Sequence, residues 1–176
     1  FRGIDLLAGG VPCPPFSVAG KQLGADDERD LFPEALRLVR ESRPKAVMLE
    51  NVKGLASARF TEYRAAIRDE LKTLGYETDW RLINSSDHGV PQLRPRFILV
   101  ALRVGAFKRF SWPSNPIAPP PVGETLEDLM TSNGWRGAAQ WAARANRIAP
   151  TVVGGSKKHG GADLGPTRAK AAWLTL

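Results

Sequence analysis

Cys13 is the one cysteine among 176 residues, and it lies in GGVPCPPFS, residues 9–17, with proline on both sides. Prolines remove backbone donors and fix φ, so the thiol sits on a stiff loop rather than inside a packed element. A single cysteine can form neither an internal disulfide nor a multi-cysteine zinc site. It is either a small buried hydrophobe or a nucleophile whose reactive form is the thiolate. The second feature is Glu50-Asn51-Val52, which directly follows the apolar run Ala46-Val47-Met48-Leu49. A glutamate there is out of place in a core unless it is paired; otherwise it caps the next segment from a loop. The third is GVPQLRPRF, residues 89–97. Arg94 and Arg96 share a parity and face one side if the backbone is extended. Arginine forks suit phosphates and planar acceptor edges, though two arginines at a surface are the plainer alternative.

Two histidines complete the inventory. His88 as a base to Cys13 would make a Cys-His hydrolase, but it stands in a turn-rich segment with no orienting partner in view. His159 lies between lysine and glycine and reads as a surface contact. The surrounding GGSKKHGG lacks the GxxxxGK[ST] pattern of a phosphate-binding P-loop. Its basic, glycine-rich character suits contacts to a nucleic-acid backbone or a solvated loop.

These residues need a scaffold. Ile4 to Ala8 is a short apolar run ended by Gly9-Gly10, which predicts a buried strand leading into a loop. Phe32, Ala35, Leu36 and Val39 recur at i, i+3, i+4 and i+7, with Pro33 at the start, and predict an amphipathic helix. Ala46 to Leu49 predicts a second strand that delivers Glu50 and Asn51 at its end. Thr61 is the expected N-cap of a second helix, with Tyr63, Ile67, Leu71 and Leu74 as its apolar stripe and Gly75 as its stop. Tyr76, Thr78, Trp80 and Leu82 alternate as a third strand, and Phe97 to Leu102 forms a fourth. Strand-helix-strand-helix-strand is an α/β order with right-handed crossovers in a parallel sheet. The link from Asn84 to Phe97 has no helical pattern, so the last strand is expected to turn back antiparallel. In such sheets sites form at the carboxyl ends of strands, where Cys13 and Glu50 both fall.

Past Arg103 the character changes. Pro113, Pro116, Pro119, Pro120 and Pro121 mark a stiff connector, and a weakly helical stretch follows near Trp135 to Arg147. The expected organisation is an α/β segment over 1–104, a connector over 105–122 and a further region over 123–176. Charge follows this division. Residues 1–100 carry 15 Lys+Arg against 14 Asp+Glu, whereas residues 101–176 carry 10 against 4. A basic tail on a near-neutral body suits a polyanionic partner. The composition, 43% hydrophobic and 24% charged, excludes disorder and collagen-like repeats. No apolar run approaches the ~20 residues of a membrane helix, and no signal segment opens the chain. A reducing cytoplasm is the expected setting.

Read together and in order, GGVPCPPFS, ENV and INSSDHGVPQLRPRF resemble the motifs of the DNA (cytosine-5)-methyltransferases over roughly residues 4–103; NRIAPTVVGG matches the opening of their target-recognition region loosely. The resemblance implies a partial Rossmann-like S-adenosylmethionine-dependent sheet with helices on both faces, with 1–104 as the C-terminal half of the catalytic domain and 123–176 as the beginning of the target-recognition region. It implies double-stranded DNA with a flipped cytosine as substrate, and a bacterial, nucleoid-associated enzyme of a restriction-modification system. Cys13 matches the nucleophile that attacks cytosine C6. Glu50 matches the residue on the N3 and amino edge, Arg96 the one at O2, and Arg94 its companion toward the phosphates. Pro12, Ser17, Asn51, Gln92, Lys157 and Lys158 match or suit substrate and DNA contacts, and Pro12 and Leu31 the cofactor side. Position 14 is proline where the family often has glutamine. The family's Phe-x-Gly-x-Gly loop and acidic ribose-binding residue, which hold S-adenosylmethionine, do not occur in these 176 residues. The reading is therefore the central piece of a longer or split enzyme, completed by missing segments or a complementary chain. The alternative is a non-catalytic DNA-binding or assembly module.

Overall fold

The computed structural model describes residues 2–11 and 30–152. Cys13, Pro12, Ser17, Lys157 and Lys158 lie outside the described residues, as does His159. The chain divides into two units. The first comprises Phe1–Ile83 and Pro95–Trp112, the second Asn84–Arg94 and Pro113–Leu176.

The first unit holds a four-stranded sheet with the order β1-β2-β4-β3. Its strands are β1 (Leu6–Gly10), β2 (Ala46–Val52), β3 (Tyr76–Asn84) and β4 (Pro95–Arg103). β1 and β2 are parallel, with Gly10 opposite Glu50. β4 runs antiparallel to β2 and places Arg96 opposite Val52, so the expected reversal of the last strand is found. β4 also separates β2 from β3, an order that no local pattern announces.

Helices α1 (Phe32–Ser42) and α2 (Thr61–Thr73) connect the strands. In α1 the four periodic residues Phe32, Ala35, Leu36 and Val39 are all buried. They pack with Ile67 and Leu71 of α2, Val47 and Leu49 of β2, and Phe97, Leu99 and Ala101 of β4. Alternation along β2 and β4 aims those side chains at the helices. Leu6 and Met48, 51% and 44% exposed, belong to the opposite face. Arg43 ends α1 at φ 47°, its N–H donating to Val39 O. Thr61 does not cap α2. It is the first helical residue, and its hydroxyl donates to Ala58 O at 2.8 Å. The alternation expected of β3 holds at Tyr76, which is buried, but fails at Leu82, which is 44% exposed. At the end of this unit Trp112 Nε1 donates to Asp79 Oδ2 at 2.6 Å, and the Arg81 guanidinium lies over its ring.

In the second unit the loop Asn84–Arg94 is closed by its own first residue, since Arg94 N–H donates to Asn84 Oδ1 at 2.8 Å. Ile117 and Ala149 then bracket this loop. Ile117 N–H donates to Asp87 O at 2.8 Å, and Leu93 N–H donates to Ala149 O at 2.7 Å. Helices α3 (Val122–Thr131) and α4 (Ala138–Arg144) follow. They cross so closely at Gly123 that a Cβ there would stand 2.0 Å from Ala142 O. The weak helical signal thus corresponds to α4, while α3 was not read in the sequence. Val122, Leu126 and Leu129 carried its spacing, masked by the prolines just before them.

Candidate active site

The parallel pairing of β1 and β2 brings their carboxyl ends to one edge of the sheet. Gly10 and Glu50 are level there, and the Val11 N–H donates to Glu50 O at 3.2 Å. The chain then proceeds toward Cys13 from a fixed point. Asn51, fully buried, secures the same point from its other side. Its Nδ2 donates to Val11 O at 3.4 Å, and its Oδ1 accepts from Val52 N–H at 2.8 Å. A buried amide with partners on both its donor and acceptor sides is an ordering device.

Glu50 alternates to the other face of β2. Its Oε1 lies 2.5 Å from Arg96 Nε. Register explains the meeting. Arg96 faces Val52, and a long side chain reaches the diagonal neighbour two residues back on the adjacent strand. Arg96 Nη1 donates to Pro95 O at 2.9 Å, which steadies the fork. The two side chains are 38% (Glu50) and 22% (Arg96) exposed, so both are open to a ligand. The arrangement is a fixed carboxylate beside a fixed planar cation, a pair able to meet the polar edge of a flat heterocycle.

Arg94 and Gln92 belong to the loop before β4. Arg94 O accepts from Ser85 N–H at 3.3 Å, and Gln92 forms a bridge with Ala149. His88 bridges to Ile117 in the same unit. Leu31 stands at the start of α1 with 43% of its surface exposed.

Sequence reasoning missed the anchor at the other end of the segment that carries Cys13. Asp30 Oδ1 accepts from Phe32 N–H at 3.0 Å, and its Oδ2 accepts from the Tyr63 hydroxyl of α2. The Tyr63 and Phe32 rings meet edge to face at 5.8 Å. Burial, then the hydrogen bond to Asp30, push the Tyr63 hydroxyl far above its ordinary pKa, so it remains a donor. An aspartate two residues ahead of a helix was a visible signal for half of this contact; its partner on α2 was not.

The fold is similar to that of a solved DNA modification methyltransferase encoded within an E. coli prophage. The TM-score is 0.53 at 24% identity, over 74% of this chain and 35% of that one. That likeness sets the class, a methyltransferase fold. The chain belongs to the C-5 cytosine-specific DNA methylase family, whose pattern residues 1–163 match. It is 63% identical over 174 residues to the Type II methyltransferase M.NaeI of Lentzea aerocolonigenes, which covers 99% of this chain and 42% of that protein. It is 56% identical over 154 residues to the Type II methyltransferase M.NgoMIV of Neisseria gonorrhoeae, over 87% of this chain and 49% of the relative. The chain therefore spans less than half the length of these relatives.

Proposed function

We propose that these residues form the central part of the catalytic domain of a bacterial DNA (cytosine-5)-methyltransferase, with Cys13 as its nucleophile. The observation that carries the reading is the Glu50–Arg96 pair, 2.5 Å apart, at the strand edge from which the chain runs to Cys13.

Cytosine C5 is a weak nucleophile. Addition of the Cys13 thiolate to C6 breaks the C5–C6 double bond and moves electron density to C5 and N3. A carboxyl group at Glu50 answers that charge by hydrogen bonding at the N3 and amino edge, and Arg96 holds O2. S-adenosylmethionine, when bound, supplies the methyl group. Loss of the C5 proton then re-forms the double bond and expels the thiolate. Cys13 must be available as thiolate, which an ordinary thiol near neutrality mostly is not, so a proton acceptor or a stabilising charge is part of the site. The base must leave the duplex, at a cost of a few kcal/mol.

The fit to the methyl donor is partial. Leu31 offers a packing surface and no polar group, so the donor's polar anchors are expected from further segments in cis or from a complementary chain. Arg94, Ser17, Gln92, Lys157 and Lys158 are proposed for DNA contact. The enzyme would then act at the nucleoid, as one half of a restriction-modification pair.

The test is covalent trapping on DNA with 5-fluorocytosine at the target, in the complete enzyme with its methyl donor. Fluorine at C5 cannot leave as a proton does, so the adduct persists. Cys13→Ser is expected to abolish the adduct and keep non-covalent binding, which rests on phosphate contacts. Glu50→Gln is expected to slow trapping severely. An adduct that survives Cys13→Ser overturns the assignment, and DNA binding without any adduct favours the non-catalytic module.

A further inference from the structure

Gly9 and Gly10 close β1 side by side, and their surroundings differ. Among the described residues, a Cβ built on Gly9 meets nothing within 4 Å, while one built on Gly10 stands 3.1 Å from Glu50 Oε2. That is inside the ~3.5 Å at which such atoms rest without strain. Backbone conformation does not require either glycine. The described glycines with positive φ are Gly3, Gly75, Gly89, Gly105 and Gly134, so alanine can adopt the backbone at both positions.

The register explains the asymmetry. Leu6, Ala8 and Gly10 pair with Ala46, Met48 and Glu50 and share their face of the sheet. Along β1 the side chains on that face shrink to nothing at the level of the carboxylate. On the opposite flank Arg96 Nε grips Glu50 Oε1 at 2.5 Å. Glu50 thus stands between a cation and a residue without a side chain, with Oε2 close to where a Cβ of that residue would lie.

We propose that Gly10 is a positioning residue: its missing side chain leaves Glu50 Oε2 uncrowded and opens room over the end of β1 for the amino edge of a pyrimidine. The inference rests on the reading of Glu50 given above. A methyl group at position 10 would have to push the carboxylate aside by a few tenths of an ångström, and Arg96 resists that movement from the other side. Small misplacements of a reacting edge are costly; about 1 Å can take a hundredfold in rate.

The test compares Gly10→Ala with Gly9→Ala in the complete methyltransferase. Readouts are the single-turnover rate of trapping on 5-fluorocytosine DNA, affinity for non-target DNA, and Tm. Gly10→Ala is expected to slow trapping by about tenfold or more with affinity and Tm matching Gly9→Ala, and Gly9→Ala to trap close to the unsubstituted rate. In a Glu50→Gln background Gly10→Ala should add little, because its effect passes through that side chain. Equal trapping by the two alanine variants overturns the inference, and so does a full multiplicative loss in the Glu50→Gln background. A Tm deficit confined to Gly10→Ala also overturns it, assigning Gly10 to the fold instead. If Glu50→Gln traps at the unsubstituted rate, the reading of Glu50 has failed and Gly10 loses its role with it.

Discussion

Glu50 on β2 and Arg96 on β4 are diagonal neighbours across an antiparallel pair, and their side chains meet at 2.5 Å on the face away from α1 and α2. The pair is only partly exposed, and its net contribution to stability is small. Its value is geometric, because each member fixes the other at the edge where β1 also ends.

Arg96→Lys should therefore damage chemistry more than folding. A lysine keeps the charge but loses the planar fork and the Nε contact. A lost charge-assisted hydrogen bond is worth ~1.5–3 kcal/mol, which corresponds to about ten- to a hundredfold in trapping rate. Single-turnover trapping in the complete enzyme measures it. An unchanged rate would mean that Arg96 does not touch the base.

Asn51→Ala should cost about 1–3 kcal/mol of stability by removing the buried amide that donates to Val11 O and accepts from Val52 N–H. It should also slow trapping, because the Asn51 amide holds Val11, two residues before Cys13 in the chain. Denaturant titration and trapping report the two effects separately. Loss of stability with trapping intact would reduce Asn51 to a core residue.

The two tyrosines offer a pH test on this chain alone. Burial, followed by the Asp30 bond at Tyr63, raises both Tyr63 and Tyr76 above the ordinary 10.0, with Arg103 and Arg43 opposing the rise at Tyr76. The folded pKa lies above the unfolded one, so this stabilisation is complete below pH ~10 and is lost as the pH rises further. Tyrosinate absorbance should thus appear only with alkaline unfolding, and Tyr63→Phe should weaken the alkaline slope. Free titration of both tyrosines at pH ~10 in the folded chain would contradict the burial described.

Isolated, the chain should bind S-adenosylmethionine weakly or not at all, since Leu31 offers packing without a polar hold. Calorimetric titration is the measurement. Low-micromolar binding would show that these residues themselves carry polar anchors for the donor.

Lys157→Ala with Lys158→Ala should weaken DNA binding across sequences. Each lysine that meets a phosphate should also flatten the slope of log affinity against log salt by about 0.9. No change in either quantity would make the loop merely solvated.

Helix α1 was legible because Phe32, Ala35, Leu36 and Val39 repeat with the period of a helix, a property of a dozen adjacent residues. The strand bearing Glu50 was legible for the same reason, since the apolar run Ala46-Val47-Met48-Leu49 is local. Chemical type was also in the residues, since a thiol, a carboxyl group and guanidinium groups stand in a recognisable order. What remained hidden depends on pairing between distant segments. The insertion of β4 between β2 and β3, and with it the meeting of Arg96 with Glu50, follows from sheet register, to which no local periodicity points. The close approach of Glu50 to Gly10, the reach of Tyr63 to Asp30, and the bracketing of Asn84–Arg94 by Ile117 and Ala149 have the same origin. The sequence by itself thus determined which elements form and which reactive groups their ends carry; the tertiary structure decided which of those groups touch, because contact is set by register and packing across the sheet.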